Sequence, residues 1–428
     1  MKSISIKTCR KLCLSALTSP RIALNLPSAL AITNVILAAE QDNAKSHGLF
    51  RLPGYCAGIL HNKVDPNAEP IITDVAPSIL KCDAQSGYAP LAFERALPQF
   101  IEKTKTNGIA ILSITNSFHF AALWYEAEML ALENLSSIVY VNSKSYISQP
   151  DGSGRRLYGT NPMAFGMPRE GQLPLVIDQA SSAMARGEIM MHQGELPKDV
   201  GIDINGQPTT NVEKVLQGSQ LPFGGYKGAN IAMMVELMAA GMTGSPFSFE
   251  SHDEDPSWFG PTMHGEFIIA MDVNQLNGKN GHNEKFFERL LQEGGRIPGS
   301  KRHEKRKEKM KLRYFTYKEF DSPDKPGSGV AMSPIILGMI DAARKMYGKP
   351  IKVNSGFRTK EHNSKVGGVK SSSHLKGLAI DIACKESEDR FKLLGILLKV
   401  GFTRLGVASS FIHVDIDFSK NNNIIWTY

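Results

Sequence analysis

The sequence predicts a mixed α/β unit followed by a smaller α+β domain. Short apolar runs at residues 108–113 (GIAILS) and 137–141 (SIVYV) have the length of buried strands. Residues 119–132 between them have helical length and few helix breakers. After a charged run at residues 301–311, strand and helix patterns start again. This order of elements is typical of two separately packed layers of sheet and helix.

The remaining elements follow from the same periodicity. In the first unit, residues 175–178 and 267–272 read as strands, and residues 230–242 are apolar nearly all round, which predicts a buried helix. In the second unit we predict helices and strands, in chain order helix 333–347, strand 351–354, strand 377–383, helix 387–400 and strand 411–417.

Composition excludes several classes of protein. The 428 residues are 42% hydrophobic and 21% charged, unlike disordered, collagen-like or coiled-coil chains. Five cysteines without a Cys-x-x-Cys pair argue against a disulfide scaffold and predict free thiols in a reducing, cytoplasmic compartment. No apolar run approaches the roughly 18 residues that a spanning helix needs, so we expect no membrane span.

The beginning of the chain is basic, and its first acidic residue is Glu40. Two interpretations are open, a weak targeting peptide and a basic amphipathic first helix. We favour the helix, because no long apolar core follows the early lysines.

The basic excess belongs to the C-terminal part. From Met310 onward there are 19 Lys and Arg against 11 Asp and Glu, within a net charge of +7 for the whole chain. Affinity for an anionic polymer such as cell wall would account for it. Nucleic acid is not expected, because no basic motif is interleaved with aromatic residues.

The charged run predicts a domain boundary. Residues 301–311 (KRHEKRKEKMK) have no apolar face and read as a solvated helix end and linker. Met310 then opens a stretch that reads like the start of an independent protein. We therefore predict units at residues 1–303 and 312–428 with a charged linker at 304–311, and interpret the chain as a gene fusion.

A pair of residues in the first unit could act on a carboxylate substrate. His47 and Arg51 stand four apart, so a helix would place them on one face. The imidazole could give a proton, and the guanidinium could hold a carboxylate by two hydrogen bonds. Without further support, a histidine and an arginine at this spacing are more often exposed surface residues without a function.

A glycine-rich turn at residues 221–228 (LPFGGYKG) precedes the apolar helix. A helix N-terminus beside a lysine suits a phosphate, although an ordinary helix-opening turn has the same composition. No Gly-x-Gly-x-x-Gly follows a predicted strand, so the Rossmann fingerprint is absent.

Six segments in order, SHGLFRLPGY, HFAALW, YGTNPMAFGMPR, DQASSAMARGE, LPFGGYKG and RIPGSKR, resemble the malate/lactate dehydrogenase-like oxidoreductases. The motifs are most similar to those of the Δ1-piperideine-2-carboxylate/Δ1-pyrroline-2-carboxylate reductases. The resemblance implies a non-Rossmann NAD(P)-binding fold, NADPH, a homodimer and a cyclic imine substrate. A 2-keto acid substrate, and thus a 2-hydroxy-acid dehydrogenase, is the alternative.

The resemblance also assigns residues. His47 would be the proton donor with Ser46 beside it, Arg51 would hold the substrate carboxylate, and Thr160 would contact substrate. Glu188 stands at a relay position where the family often has Asp, and residues 190–197 are shorter than in the family. The NADP site would be lined by Phe120, Ala121, Ala122, Leu123, Trp124, Asp178, Arg186, Gly187, Tyr226, Lys227, Arg296, Ile297, Pro298, Gly299, Ser300, Lys301 and Arg302.

The second unit carries a metal-ligand pattern. His374 and Asp381 stand seven apart, and His413 follows in an HVD segment. Two histidines and a carboxylate with an open fourth position form a catalytic zinc arrangement. In a strand, Asp415 shares a face with His413, so it could sit beside the metal-bound water or orient a ligand.

Around these residues, NSGFRT (354–359), Asn363 and VGG (366–368) complete an ordered pattern. It resembles the zinc D-Ala-D-Ala carboxypeptidase and phage endolysin-like M15 peptidases. The resemblance implies that His374, Asp381 and His413 bind Zn²⁺, that Arg358 stabilises the substrate carboxylate or the developing oxyanion, and that peptidoglycan peptide is the substrate.

One departure concerns the general base. Many M15 relatives carry Asp or Glu three residues before the last histidine, where this chain has Ser410. Asp415 could be the replacement base, or it could only orient a ligand. A metal- or wall-binding module without hydrolysis is therefore the alternative for the second unit.

Overall fold

The computed structural model describes residues 5–119, 121–150, 155–169, 172–255, 262–276, 280–309, 312–417, 420 and 424–428. The chain divides into two compact units. The first comprises residues 1–167 and 175–278, and the second comprises residues 168–174 and 279–428.

The first unit alternates helices and strands. Its helices are α1 (Ile6–Leu17), α2 (Leu26–Gln41), α3 (Leu52–Leu60), α4 (Ala89–Asn107), α5 (Trp124–Leu132), α6 (Arg186–Met191), α7 (Val212–Gln217), α8 (Tyr226–Glu236) and α9 (Ser248–Glu254). Its strands are β1 (Ile71–Ala76), β2 (Ile79–Tyr88), β3 (Ile109–Phe118), β4 (Leu135–Val141), β5 (Ile147–Ser148), β6 (Arg156–Tyr158), β7 (Met163–Met167), β8 (Leu175–Gln179), β9 (Gly201–Ile202), β10 (Ser219–Gln220) and β11 (His264–Asp272).

Seven of the described strands form a mixed sheet at the centre of this unit, and β6, β5, β10 and β9 form a smaller one. The order in the larger sheet is β1-β2-β3-β11-β4-β7-β8, with β2 and β3 parallel and the other neighbours antiparallel. Helix α4 makes the crossover between β2 and β3, as a parallel pair requires. Leu112, Val139 and Ile268 lie on the three central strands and are fully buried. The predicted mixed α/β class is confirmed.

The basic beginning of the chain is helical. Cys9, Cys13 and Leu17 recur at four-residue spacing along α1 and are buried in one apolar cluster with residues of α2 and α3. The helix is therefore amphipathic, as the favoured interpretation expects. All five cysteines are described and stand as free thiols.

The apolar helix is less buried than the sequence predicts. Helix α8 continues as a π-helix over Leu237–Gly241. Ala232, Val235 and Ala239 are buried, but Met233 and Leu237 keep about half of their surface exposed. The prediction of a buried helix was therefore wrong for the face that carries Met233 and Leu237. An apolar sequence does not show whether other parts of the same chain pack against every face of the helix.

The second unit is α+β, as predicted. Its helices are α10 (Asn280–Gln292), α11 (Ser300–Lys309), α12 (Pro334–Tyr347), α13 (Lys360–Lys365) and α14 (Ser387–Lys399), and its strands are β12 (Val353–Ser355), β13 (Ala379–Ala383), β14 (Arg404–Val407), β15 (Phe411–Asp415) and β16 (Ile424–Thr427). The described strands form a sheet in the order β12-β13-β15-β14-β16.

Apolar residues of α12 and α14 cover this sheet. Ile336, Ile340, Leu397 and Ile412 belong to one buried cluster with Phe320. Antiparallel pairing of β13 with β15 sets Asp381 opposite His413 in the ladder. The register of these two strands thus brings together two residues that lie 32 positions apart in the sequence.

The charged run is helical as far as Lys309, the end of α11. Met310 and Lys311 lie outside the described residues. Among the helices of the described segments, none has both the length and the apolar character to cross a bilayer.

Candidate active sites

The SHGLFR segment forms two consecutive 3₁₀ turns, Lys45–His47 and Leu49–Arg51. The carboxylate of Glu40, near the end of α2, accepts a hydrogen bond from the Leu49 amide at 2.8 Å. The Arg51 Nε donates to the Ser46 carbonyl at 2.7 Å. These two bonds fold the segment back on itself, so His47 and Arg51 come from adjacent turns instead of one helix.

Burial and nearby charge at this site lower the pKa of His47. The Ser46 Oγ and His47 Nδ1 atoms share a hydrogen bond of 3.1 Å. Burial, reinforced by the positive charge of Arg51 and by His119, lowers the pKa of His47 to about 3. The imidazole of the free protein is therefore uncharged at neutral pH.

Helix α6 approaches the same turns through a glycine. A Cβ atom on Gly187 would lie 3.0 Å from an Arg51 nitrogen and 3.2 Å from the Ser46 Cβ, so a larger residue would push the turn away. Glu188, the next residue, is exposed. Among the described residues its carboxylate forms no hydrogen bond to His47, and the relay role stays a prediction.

Thr160, predicted to contact substrate, lies in a tightly held loop. Its amide donates to the Ser143 Oγ at 2.9 Å, and its carbonyl accepts from the Ser181 amide at 2.8 Å. The next residue, Asn161, has φ of +37°, a left-handed conformation that asparagine tolerates better than most residues.

A buried carboxylate that sequence reasoning missed holds this loop. Glu236, at the end of α8, accepts from the Asn161 side-chain amide at 2.8 Å, from the Ser248 amide at 3.2 Å and from the Ser248 hydroxyl. Asn142 and the Gly159 amide stand 3.5 Å from its oxygens. Burial raises the pKa of Glu236, and these hydrogen bonds oppose the rise. A lone glutamate in an apolar helix is the signal that could have identified it.

The segment predicted to bind NADP after β3 is anchored to β8. The Asp178 carboxylate accepts a hydrogen bond from the Trp124 amide at 3.0 Å. Ala122, Leu123 and Trp124 are buried and Ala121 is half-buried, while Phe120 lies outside the described residues. This bond fixes the start of α5 against the neighbouring strand.

Three more residues predicted to contact the cofactor differ in their surroundings. The Arg186 guanidinium stacks on the Tyr146 ring at 4.2 Å, and burial lowers its pKa to about 10. Tyr226 and Lys227 are exposed in the first turn of α8. An exposed lysine at the N-terminus of an eleven-residue helix fits a phosphate group.

The remaining predicted NADP residues belong to the second unit. Ile297 is buried, Arg296 and Lys301 are exposed, and Pro298, Gly299, Ser300 and Arg302 are half-buried. Residues 296–299 form the turn before α11, where Gly299 has φ of +84°, and residues 300–302 begin that helix.

The second unit brings its three predicted metal ligands together. One ring nitrogen each from His374 and His413 and one oxygen of Asp381 lie within 4.8 Å of one another. The Asp381 Oδ1 is 3.2 Å from His374 Nε2 and 2.8 Å from His413 Nδ1. Burial opposes ionisation of Asp381, but bonds from both imidazoles hold its pKa below the usual range. Two imidazoles and a carboxylate fit Zn²⁺.

The other ring nitrogens are also committed, which fixes the orientation of both imidazoles. His374 Nδ1 lies 2.7 Å from the Gly356 carbonyl, and His413 Nε2 lies 3.1 Å from the Asp415 Oδ2. A Cβ on Gly356 would meet Phe320 at 2.7 Å, so only glycine lets this carbonyl approach. Asp415 is 1% exposed and also accepts from Arg404 Nε at 2.7 Å.

Arg358 and Ser410, to which the sequence analysis gave or denied a catalytic role, differ in their contacts. A terminal nitrogen of Arg358 donates to the Asp381 Oδ2 at 2.6 Å, so the guanidinium already pairs with a predicted ligand. Ser410 is exposed, and its carbonyl accepts from the Cys384 amide at 3.0 Å. The hydroxyl offers no carboxylate for proton transfer.

Comparison with known proteins identifies a family for each part of the chain. The malate/L-lactate dehydrogenase family model matches residues 4–312, and the peptidase M15 model matches residues 313–415. A Δ1-pyrroline-2-carboxylate reductase of Burkholderia multivorans is 39% identical over 286 residues, covering 65% of this chain and 84% of the relative. An NADP-dependent (2R)-3-sulfolactate dehydrogenase of Chromohalobacter salexigens is 37% identical over 316 residues, covering 72% and 93%.

A solved structure extends the likeness to the fold. The Δ1-piperideine-2-carboxylate reductase of Pseudomonas syringae pv. tomato is 34% identical, with a TM-score of 0.69 over 72% of this chain and 95% of that one. The chain therefore belongs to the malate/L-lactate dehydrogenase family of oxidoreductases and carries a peptidase M15 domain at its C-terminal end.

Proposed function

We propose that the first unit reduces a cyclic imine carboxylate, Δ1-piperideine-2-carboxylate or Δ1-pyrroline-2-carboxylate, to L-pipecolate or L-proline with NADPH in the cytoplasm. The observation that carries the proposal is the meeting of Ser46, His47 and Arg51 beside α6. The names of the similar reductases support the substrate class.

In this reaction Arg51 binds the ring carboxylate by charge and hydrogen bonds. When bound, NADPH supplies the hydride for the imine carbon. His47 delivers a proton at the imine nitrogen. Because the neighbouring Arg51 charge helps to keep His47 neutral, a carboxylate paired with Arg51 removes part of that effect and lets the imidazole take up the proton it later gives.

A 2-hydroxy-acid dehydrogenase is the second candidate. The similarity to a sulfolactate dehydrogenase favours it, because that relative is nearly as similar to this chain as the imine reductase. Arg51 would hold the carboxylate of either substrate, so the two candidates differ in the atom that receives the proton.

For the second unit we propose a zinc-dependent carboxypeptidase or endopeptidase acting on peptidoglycan-type peptides. His374, Asp381 and His413 would hold Zn²⁺, which supplies Lewis acidity and an activated water when bound. Since Asp415 is buried between Arg404 and His413, we assign it to ligand orientation. The exposed Ser410 favours a metal- or wall-binding module as the alternative.

We also propose a homodimer formed by the first unit. Met233 on α8 and Leu237, which opens the π-helix that follows α8, stand four apart and leave an apolar face uncovered, which a second copy would bury. Sedimentation velocity is expected to give about twice the chain mass of 46.9 kDa, and Leu237→Asp to give the monomer. A monomeric unmodified protein would contradict the assignment.

The reductase is tested by NADPH oxidation with Δ1-piperideine-2-carboxylate, with pyruvate as competitor. We expect turnover on the imine, and a loss of about 10²–10⁴-fold in kcat for His47→Ala, because general acid catalysis contributes that much. His61→Ala changes an exposed histidine and is the matched control. Turnover on pyruvate alone would instead establish the hydroxy-acid dehydrogenase.

Ligand binding should be coupled to proton uptake. His47 is neutral above a pKa of about 3 in the free protein, and pairing of a carboxylate with Arg51 raises that pKa. Binding of pyrrole-2-carboxylate, a planar analogue, should therefore take up protons at mildly acidic pH and fewer at alkaline pH. Calorimetry in buffers of different ionisation enthalpy measures the uptake, which His47→Ala should abolish. Equal uptake by that variant would refute the coupling.

The orienting role of Asp415 predicts a loss of metal affinity. Asp415→Asn should weaken Zn²⁺ binding by about 10–100-fold, because it removes the acceptor that fixes His413. Competition with a chromophoric chelator measures the affinity, and Asp389→Asn, a half-buried carboxylate of α14 that pairs with Lys349, is the control. Unchanged affinity together with lost peptide hydrolysis would make Asp415 the base. Tight zinc without hydrolysis by the unmodified protein would favour the binding module.

A further inference from the structure

A second buried group of polar residues lies in the first unit. His119 follows β3, Glu126 is in the first turn of α5, and Glu266 is in β11. Their exposed fractions are 8%, 1% and 0%. One ring nitrogen of His119 and one carboxylate oxygen of each glutamate lie within 4.8 Å of one another. The end of β3, helix α5 and strand β11 thus bring one polar side chain each into a single buried cluster.

These atoms are not satisfied within the described part of the chain. The His119 Nε2, the Glu126 Oε2 and both oxygens of Glu266 have no hydrogen-bond partner there. The His119 Nε2 stands 3.5 Å from the Glu126 Oε1. Buried carboxylates without partners are costly, and native proteins almost always pair them with a donor, a cation or a metal.

We propose that His119, Glu126 and Glu266 bind a divalent transition-metal ion of the Mn²⁺ or Zn²⁺ class. Two carboxylates offset the charge of such an ion, and an imidazole ligand selects transition metals over Mg²⁺ and Ca²⁺, which prefer oxygen alone. Ligands on one ion with bonds of about 2.1 Å stand about 3.0–3.4 Å apart. The three atoms lie within 4.8 Å of one another, and the soft terminal torsions of the carboxylates would let a bound ion draw them to that spacing.

The ion would have a structural effect on the reductase site. It would tie the end of β3 to the start of α5 and to β11, on either side of residues 121–124. Those residues are predicted to contact NADP, and the Asp178 bond to the Trp124 amide holds them on the other side. The metal is therefore assigned to positioning of the cofactor segment and not to a chemical step.

Shared protons are the competing explanation. Burial raises the pKa of Glu266 to about 8, with His119 opposing and Glu126 reinforcing the rise, so a metal-free cluster would hold a proton at neutral pH. His264 also lies near His119, and burial lowers its pKa to about 3. Asp178 acts on His119 from β8. Protons and a metal ion would occupy the cluster in competition.

The test uses the full chain with His374→Ala and His413→Ala, which removes the metal set of the second unit. After treatment with a chelator and reloading with MnCl₂ or ZnSO₄, we expect about one ion per chain by mass spectrometry. In this background Glu126→Gln and Glu266→Gln should each weaken binding at least about tenfold. Glu94→Gln, another carboxylate of the first unit, hydrogen-bonded to Asn34, is the matched control and should bind normally.

Two results would overturn the proposal. Failure of the background protein to retain a stoichiometric ion would leave protons as the occupants. Normal binding by both glutamine variants would place the ion elsewhere. If the variants do not fold, X-ray absorption of the zinc-loaded background protein decides instead: one imidazole with oxygen ligands is expected, and sulfur or several imidazoles would refute the site.

Discussion

The loop that carries Thr160 depends on the buried carboxylate of Glu236. Glu236 gathers donors from the Asn142, Gly159–Asn161 and Ser248 segments, which are far apart in the sequence. A buried charge costs several kcal/mol unless such donors satisfy it. The same requirement that fixes Glu236 therefore fixes the loop carrying Thr160, including the left-handed conformation of Asn161.

The two sites use burial in opposite ways. At His47, burial and the nearby Arg51 lower the pKa, so the imidazole is uncharged. The guanidinium of Arg51 is then the positive group that would pair with the carboxylate of the proposed substrate. At Asp381, burial is overcome by two imidazoles and an arginine, so the carboxylate stays ionised and available to a cation. The proposed sites for an anionic metabolite and for a metal ion thus use the same residue types, histidine and arginine, with different partners.

Much of the fold and many site positions were predictable, because they rest on local patterns. Strand-length apolar runs located β3, β4, β8 and β11, and the mixed class followed from their alternation with helices. The order of the motifs along the chain identified both families, because each motif is a short local segment that can be read directly from the sequence. The prediction that helix α8 is buried was wrong for one face, because the hydrophobicity of a segment does not show which residues, if any, pack against it.

The sequence by itself determined both families, and it predicted His374, Asp381 and His413 as candidate metal ligands. Only the tertiary structure decided how these residues act. It placed Asp415 between Arg404 and His413, turned Glu188 outward, neutralised His47 and gathered His119, Glu126 and Glu266. The physical reason is that orientation, desolvation and charge pairing depend on neighbours distant in the chain, and spacing along one chain does not encode them.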